Sequence, residues 1–357
     1  MKKKWDIGWG VETRCNMNCE FCYSKDVREF NNKLEFNTYK KFIDNNHDSI
    51  GSINYGTGEN SLSEDWFKLV EYIGTNYPFI KQALTTNGHI SLACKNKIKK
   101  KIFVDYIDEV DISLDFYNKA RHNQFRGNKD AYDMALSAFN MCNEYCKQTT
   151  LVFLGTNEVA DINNLEGLFH VAHRHNAFLR TNIYRPTQGI NKDTQKFILD
   201  FEKLIEMLQW ISDKHKIIKI SDRLIAAMLF KEKSEDYSGY SSLRILGDGS
   251  ITPSTYLISE EYRKYSILKN THLDNISFDT QIQRGCIPPD CNDCTIRDIC
   301  KGGAYDRRLL WYSTLNERDP YCPKRYNYNI SNDIRLSVDS HFKSIHDSYL
   351  PTMFFSY

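Results

Sequence analysis

The sequence predicts an α/β protein, a partial barrel of six strand–helix units followed by a small cysteine-rich domain. Three observations carry this. Residues 5–185 alternate short β-type runs with helically periodic stretches, an order that implies a parallel sheet with right-handed crossovers. Three cysteines sit together directly after the first strand run. The texture changes after Ser234, and residues 285–325 are rich in cysteine, aspartate and arginine with little periodicity. Such a segment buries little apolar core and is organised more readily by metal.

The elements come in this order. Residues 5–11 alternate towards a first strand that delivers the chain into the cysteine loop. Residues 52–55 are a short strand, and 63–73 a helix with Trp66, Leu69, Val70 and Ile73 at helical spacing. Residues 83–86, 109–114, 150–154 and 178–184 read as further strands; 92–101, 130–145 and 163–175 read as the helices between them. A long helix over 194–214 closes the barrel, and a helix over 222–231 bridges to the C-terminal part of the chain. Residues 243–251 form a hairpin pattern, with Asp248-Gly249 supplying the positive φ angles of a tight turn. The domain division is 1–215 for the barrel, 216–240 for the bridge, 241–325 for the cysteine-rich domain and 326–357 for an aromatic, polar tail without an assigned role. Functional groups should gather at the carboxyl ends of the barrel strands.

With 357 residues, 41% apolar and 26% charged, the composition is that of a globular enzyme. A net charge of +1 gives no electrostatic preference for nucleic acid or an acidic membrane. Lys2, Lys3 and Lys4 are basic, but no apolar core of signal-peptide length comes after them, and no apolar run approaches membrane-spanning length. Eleven cysteines without a secretion signal argue for metal ligation in a reducing compartment, the cytoplasm, and against a disulfide framework.

Cys15, Cys19 and Cys22 lie in the run Arg14-Cys-Asn-Met-Asn-Cys-Glu-Phe-Cys-Tyr23. Three thiolates so close together can fold around one corner of an iron–sulfur cube, and without a fourth cysteine nearby one iron stays open for a substrate or cofactor. The plainer alternatives are a zinc site, which usually pairs C-x2-C halves and closes with four ligands, or buried thiols clustered by chance. The C-x3-C-x2-C spacing, with an aromatic residue before its last cysteine, resembles the radical S-adenosylmethionine (SAM) superfamily. That resemblance implies a radical SAM barrel and a 4Fe–4S cluster whose open iron is chelated by SAM. An electron from the cluster would cleave SAM, giving a 5′-deoxyadenosyl radical that removes hydrogen from substrate. Tyr23 falls among the implied cofactor contacts.

Further motifs support the resemblance. Gly56-Thr-Gly-Glu59 is similar to the family's Gly-Gly-Glu motif, implying that Gly58 and Glu59 approach the methionine amino group; Thr57 replaces a glycine and Asn60 the usual proline. Thr86-Asn-Gly88 matches a family strand-to-helix turn, bringing in Thr86 and Asn87. Ser113-Leu-Asp115 resembles Ser-Leu-Asp-Gly, with Phe116 for the glycine, and implies that Ser113 and Asp115 serve the ribose and carboxylate of SAM. The Arg126-Gly127 turn implies an arginine paired with the methionine carboxylate, and Asn157 stands where the family often has a ribose-binding asparagine. Arg185, ending the sixth strand run, faces the expected substrate mouth and would hold a substrate carboxylate. His170, His173 and His175 lie on a helix outside the barrel and are read as surface or packing residues, and Cys94, Cys142 and Cys146 as core thiols.

Cys291, Cys294, Cys300 and Cys322 form a second set, with Cys286 unassigned. Four such thiolates suit a tetrahedral zinc or a fully ligated 4Fe–4S cluster, and composition alone favours zinc. The run from Cys294 to Gly303 resembles the SPASM extension of radical SAM peptide-modifying enzymes, which implies an auxiliary 4Fe–4S cluster instead. Ala304 and Ser254 stand where that extension has cysteines, so the inner of its two usual auxiliary clusters is expected to be lost.

The resemblance implies an enzyme that matures a ribosomally made peptide by cross-linking, epimerisation or backbone excision. The alternatives are dehydrogenation of a small molecule, maturation of a sulfatase, or a non-catalytic, metal-stabilised binding protein. The implied partners are a precursor peptide and a flavodoxin- or ferredoxin-like reductant. Because only residues 1–5 precede the first strand, leader recognition is expected to come from a separate small protein, or from the cysteine-rich domain and tail themselves.

Overall fold

The computed structural model describes residues 3–25, 27, 34–234, 237–279, 286–329, 333–337, 342–348 and 350–357. Lys2 of the basic run and Gly285 lie outside these.

Alternation builds the first strand, β1 (Trp5–Trp9), in which Trp5, Ile7 and Trp9 are all buried. It pairs in parallel with β2 (Ile50–Tyr55), and β3 (Lys81–Thr86), β4 (Glu109–Ser113), β5 (Gln148–Gly155) and β6 (Phe178–Ile183) come next side by side, every pair parallel. The crossovers are α1 (Phe36–Asn46), α2 (Glu64–Asn76), α3 (Ile90–Ala93), α4 (Lys97–Tyr106), α5 (Lys119–Arg126), α6 (Ala131–Glu144) and α7 (Ile162–Arg174). In α2, Ser63 caps the amide of Trp66, Glu64 and Asp65 complement the helix dipole, and Trp66, Leu69, Val70 and Ile73 form one fully buried stripe. Each such side chain stabilises the fold by about 1.5–3 kcal/mol.

Beyond β6 come α8 (Lys192–Gln195), α9 (Phe201–Lys214), β7 (Lys216–Ile220), α10 (Arg223–Ile225), β8 (Ser242–Ile245), β9 (Ser250–Thr252), β10 (Tyr265–Ser266), α11 (Arg297–Cys300), α12 (Tyr305–Tyr312) and β11 (Met353–Ser356). The sheet runs β10-β9-β8-β1-β2-β3-β4-β5-β6-β11-β7. The partial barrel therefore continues at both edges. β8 pairs in parallel with β1, so the hairpin is continuous with the barrel sheet, and β11 inserts antiparallel between β6 and β7.

Several expectations are corrected. The helix expected over 92–101 is broken, because the Asn96 side chain accepts from the amides of Ile98 and Lys99 and starts α4 afresh. The helix expected over 194–214 is two, since Asp200 takes an extended conformation before α9. The bridging helix is one short turn and a wide π-type turn over Ala226–Phe230, ended by Lys231 at φ 54°. In the hairpin only Gly249 has positive φ, at 83°; Asp248 instead accepts from the amide of Ser250. Cys94 and Cys142 are buried, but Cys146 is exposed. His175 stacks on Phe139 and His173 packs on Tyr357, as packing residues do. No helix among the described residues is long and apolar enough to cross a membrane.

Candidate active site

β1 leads into the cysteine loop at the carboxyl end of the sheet, and neighbouring strand ends hold that loop in place. The buried Asn60 side-chain oxygen accepts from the amides of Val11 and Glu12, both at 3.1 Å. The amide of Glu59 donates to the carbonyl of Arg14 at 2.8 Å. Gly58 sits at φ 62°, and a Cβ there would lie 2.4 Å from the carbonyl oxygen of Glu12, so only glycine fits. Thr57 holds φ 93°, a strained conformation for a β-branched residue, and its hydroxyl meets the Tyr23 hydroxyl at 3.2 Å.

The far side of the loop is held from β3 and α5. Asn87 donates to Asn16 at 2.8 Å and lies 3.6 Å from the Cys15 sulfur. The carbonyl of Arg126 accepts from the amide of Asn18 at 3.0 Å and from the Cys19 thiol at 3.5 Å. Gly127 ends α5 at φ 62°, pressed so closely on Asn18 that a Cβ would lie 2.6 Å from its carbonyl oxygen. Asn128 donates to the carbonyl of Asn16 at 2.7 Å.

Cys15, Cys19 and Cys22 thereby line one wall of a cavity of about 190 Å³. Tyr23, Gly58, Asn87, Ser113 and Arg126 line it too, with Gly56 and Thr57 beside them. Arg185 lies in the same cavity, 2% exposed, with its Nε 3.0 Å from Asp306 and its guanidinium over the Tyr256 ring. Its Nη2 has no hydrogen-bond partner among the described residues.

Other predicted residues stand behind the wall. Glu59 is buried, accepting from the Thr86 hydroxyl, the Asn87 amide and the Ser61 hydroxyl. Burial raises the pKa of this carboxyl, with those hydrogen bonds opposing. Asp115 is fully buried, accepting from Arg126 and from the amide of Leu154, so it aims Arg126 rather than facing the cavity. His122, which accepts from the Asp115 amide, is kept neutral by burial and by Arg126. Asn157 lies outside the cavity lining; it donates to Asp200 at 2.6 Å and accepts from the Asp200 amide, fixing the start of α9.

Sequence reasoning missed Arg180 and Arg244, which line the cavity from β6 and β8. The signal was present, an arginine at an inward position within an otherwise apolar or small-residue strand. The cavity lining holds four arginines and no carboxylate; Asp111, Asp115 and Asp306 balance three of them from behind.

Cys291, Cys294, Cys300 and Cys322 line a second cavity, of about 270 Å³, together with Arg318 and Asp319. Burial pushes the Cys300 thiol up to about 12 and raises Cys291 and Cys322 as well. Cys286 is not part of that lining; its sulfur lies 3.7 Å from the carbonyl of Leu315. Between the two cavities, Ser254 donates to Asp306 at 3.5 Å and the Ala304 amide to Asp319 at 3.0 Å. Arg307 bridges Asp222 and Asp319 at 2.6 and 2.7 Å. Buried ion pairs thus surround Ser254 and Ala304.

In both cysteine sets the spacing is open. A tetrahedral zinc at ~2.3 Å from each thiolate draws the sulfurs to within about 4 Å of one another. Among the described residues no three cysteine sulfurs lie within 4.8 Å of each other. Soft donors held farther apart fit a larger group such as an iron–sulfur cube.

Residues 11–165 match the family model of the Radical SAM superfamily. The chain is 23% identical over 336 residues to the mycofactocin maturase MftC of Mycolicibacterium smegmatis, covering 88% of this chain and 82% of that one. Among solved structures, Streptococcus suis SuiB bound to precursor peptide SuiA aligns with a TM-score of 0.68 at 16% identity, covering 90% of this chain and 76% of that one. Native anSMEcpe with bound AdoMet and Kp18Cys peptide aligns at 0.72 and 17% identity, covering 90% and 94%. Both share the fold.

Proposed function

We propose that this chain, which carries a radical SAM domain over residues 11–165, is a radical SAM enzyme that modifies a peptide, most simply a ribosomally made precursor. The observation that carries the reading is the convergence of Cys15, Cys19 and Cys22 on one arginine-lined cavity with Gly58, Asn87, Ser113 and Arg126. The three cysteines would hold a 4Fe–4S cluster and leave an iron open for SAM. When bound, the pair supplies reductive cleavage of SAM and the hydrogen-abstracting radical.

The chain's own part is placement. Gly56 and Gly58 offer backbone without side chains, so a methionine amino group can approach closely. Arg126, aimed by Asp115, presents a guanidinium to a carboxylate, and Ser113 and Tyr23 add hydroxyls. Glu59 and Thr86 act by fixing the Asn87 turn. Asn157 is left out of the set, being committed to Asp200. Arg185, with an unpartnered Nη2 in the cavity, would receive a substrate carboxylate.

The peptide assignment draws on the relatives: MftC is named a maturase, and SuiB and anSMEcpe were solved with peptides bound. The second cysteine set would carry one auxiliary 4Fe–4S cluster within a SPASM-like domain, the inner cluster being replaced by the ion network at Ser254 and Asp306. The reading implies a cytoplasmic enzyme with a flavodoxin- or ferredoxin-like reductant as a partner. The test is anaerobic reconstitution followed by dithionite and SAM. 5′-Deoxyadenosine should form, and a C15A/C19A/C22A variant that still forms it would sink the reading.

A further inference from the structure

Residues 342–346 and 350–356 carried no sequence motif, yet this segment enters the barrel. Phe342 packs on Phe178 and Phe354, the Ser344 hydroxyl donates to Glu109, and the Ile345 amide donates to the other oxygen of Glu109 at 3.0 Å. His346 is fully buried between Glu109 at 3.4 Å and Asp111 at 3.0 Å, and Asp111 also receives Arg180. These three acid and imidazole groups are close enough to hold a metal ion, but Asp111 is already paired with Arg180, and both oxygens of Glu109 already accept from Ser344 and Ile345. The cluster is therefore a clasp rather than a cage. Thr85, a cavity residue, reaches the same imidazole at 3.4 Å.

Leu350 lines the reaction cavity and packs with Tyr256, Tyr23 and Leu310. Thr352 next donates to the carbonyl of Thr181, and β11 completes the sheet between β6 and β7. The segment is thus pinned on both sides of Leu350, below by an ion cluster and beyond by a strand.

We propose that this segment is the fixed floor of the reaction cavity, with Leu350 the surface that limits how deep a substrate side chain enters and His346 the clasp that sets its height. The proposal rests on the reading of that cavity as the reaction chamber. An apolar floor beneath an arginine-lined wall selects a substrate whose inserted group is apolar or aromatic and whose charge stays at the level of Arg185.

Two measurements on the full, cluster-loaded chain test it. By hydrogen exchange, the amides of β11 and Ile345 should be protected about as strongly as those of β6. H346A should speed exchange at residues 342–346 and at Leu350 while leaving β2 and β3 as they were. Exchange at unprotected rates in the native chain, or no effect of H346A, overturns the fixed floor. In L350C, peptide-resolved mass spectrometry should show the introduced thiol reacting with methyl methanethiosulfonate, and saturating SAM should slow that reaction about tenfold or more. A thiol that never reacts, or that reacts equally fast with SAM bound, overturns its placement in the cavity. Hydrogen exchange requires no turnover, so a chain that fails to cleave SAM would refute the enzymatic reading and leave the floor standing or falling on its own data.

Discussion

Asp115 and Arg126 meet at 2.6 Å, and the same arginine, through its carbonyl, receives the Cys19 thiol and the Asn18 amide. One residue therefore both faces the cavity with its charge and holds the cysteine loop with its backbone. Asp115 is fully buried, so it acts through Arg126 and not on any ligand directly.

Replacing Asp115 with asparagine should separate these two duties. The guanidinium, only 13% exposed, loses its charge partner, a change that costs up to about 3–5 kcal/mol when nothing compensates. SAM affinity by calorimetry should fall about tenfold, the equivalent of ~1.4 kcal/mol, because Arg126 is no longer aimed. Iron content after reconstitution should stay near that of the parent, since the carbonyl contacts are backbone. Unchanged stability and SAM affinity in D115N would refute the positioning role.

Gly58→Ala should damage the loop itself. The added Cβ meets the carbonyl oxygens of Glu12 and Arg14 at 2.4 and 2.7 Å, and φ 62° disfavours any side chain. A strained position of this kind costs ~1–3 kcal/mol where the backbone cannot shift. Here it can shift only by moving the cysteines, so reconstituted iron should drop and thermal stability fall together. Full iron loading in G58A would show that the close approach of the two loops is dispensable.

The barrel was legible because its signals are local. Trp66, Leu69, Val70 and Ile73 announce α2 by spacing, and alternation in β1 needs no partner to be read. Breaks were harder. Asn96 and Asp200 interrupt helices through a cap and an extended residue that the flanking periodicity conceals. The two cysteine sets are marked by residue type and spacing, but the burial and partners of Asp115 and Glu59, which place them behind the cavity wall, are not. β11 could not be read at all, because Met353–Ser356 is four residues whose strand state depends on β6 and β7 being on either side.

The two cysteine cavities predict a metal count. One cube at Cys15, Cys19 and Cys22 and one at Cys291, Cys294, Cys300 and Cys322 give about eight irons per chain. Removing Arg307, which sits between Asp222 and Asp319, should destabilise the second site first, because Asp319 lines that cavity. R307M should therefore lose about four irons while retaining the SAM-binding cube. A native count of about twelve irons would show that the space around Ser254 and Asp306 holds a cluster after all. About four irons with one zinc would make the second site structural.

The ion cluster under the cavity predicts a pH dependence. Burial alone lowers the pKa of His346, and Arg180 opposes protonation as well, but Asp111 and the hydrogen bonds to Asp111 and Glu109 prevail and leave it raised. A group whose folded pKa lies above its unfolded value contributes stability that is fully present below the unfolded pKa, about 6.5 for histidine, and is lost as pH rises through the folded pKa. Urea unfolding should therefore show the chain losing stability as pH climbs above neutrality. H346Q should be less stable at pH 6 and should lose less on the same climb, since its side chain has no proton to give up. Hydrogen exchange at residues 342–346 should take the same course, faster at high pH in the native chain beyond the ordinary base-catalysed increase seen in β2. Parallel pH profiles for the native chain and H346Q would show that the imidazole is not charged where it sits between Glu109 and Asp111.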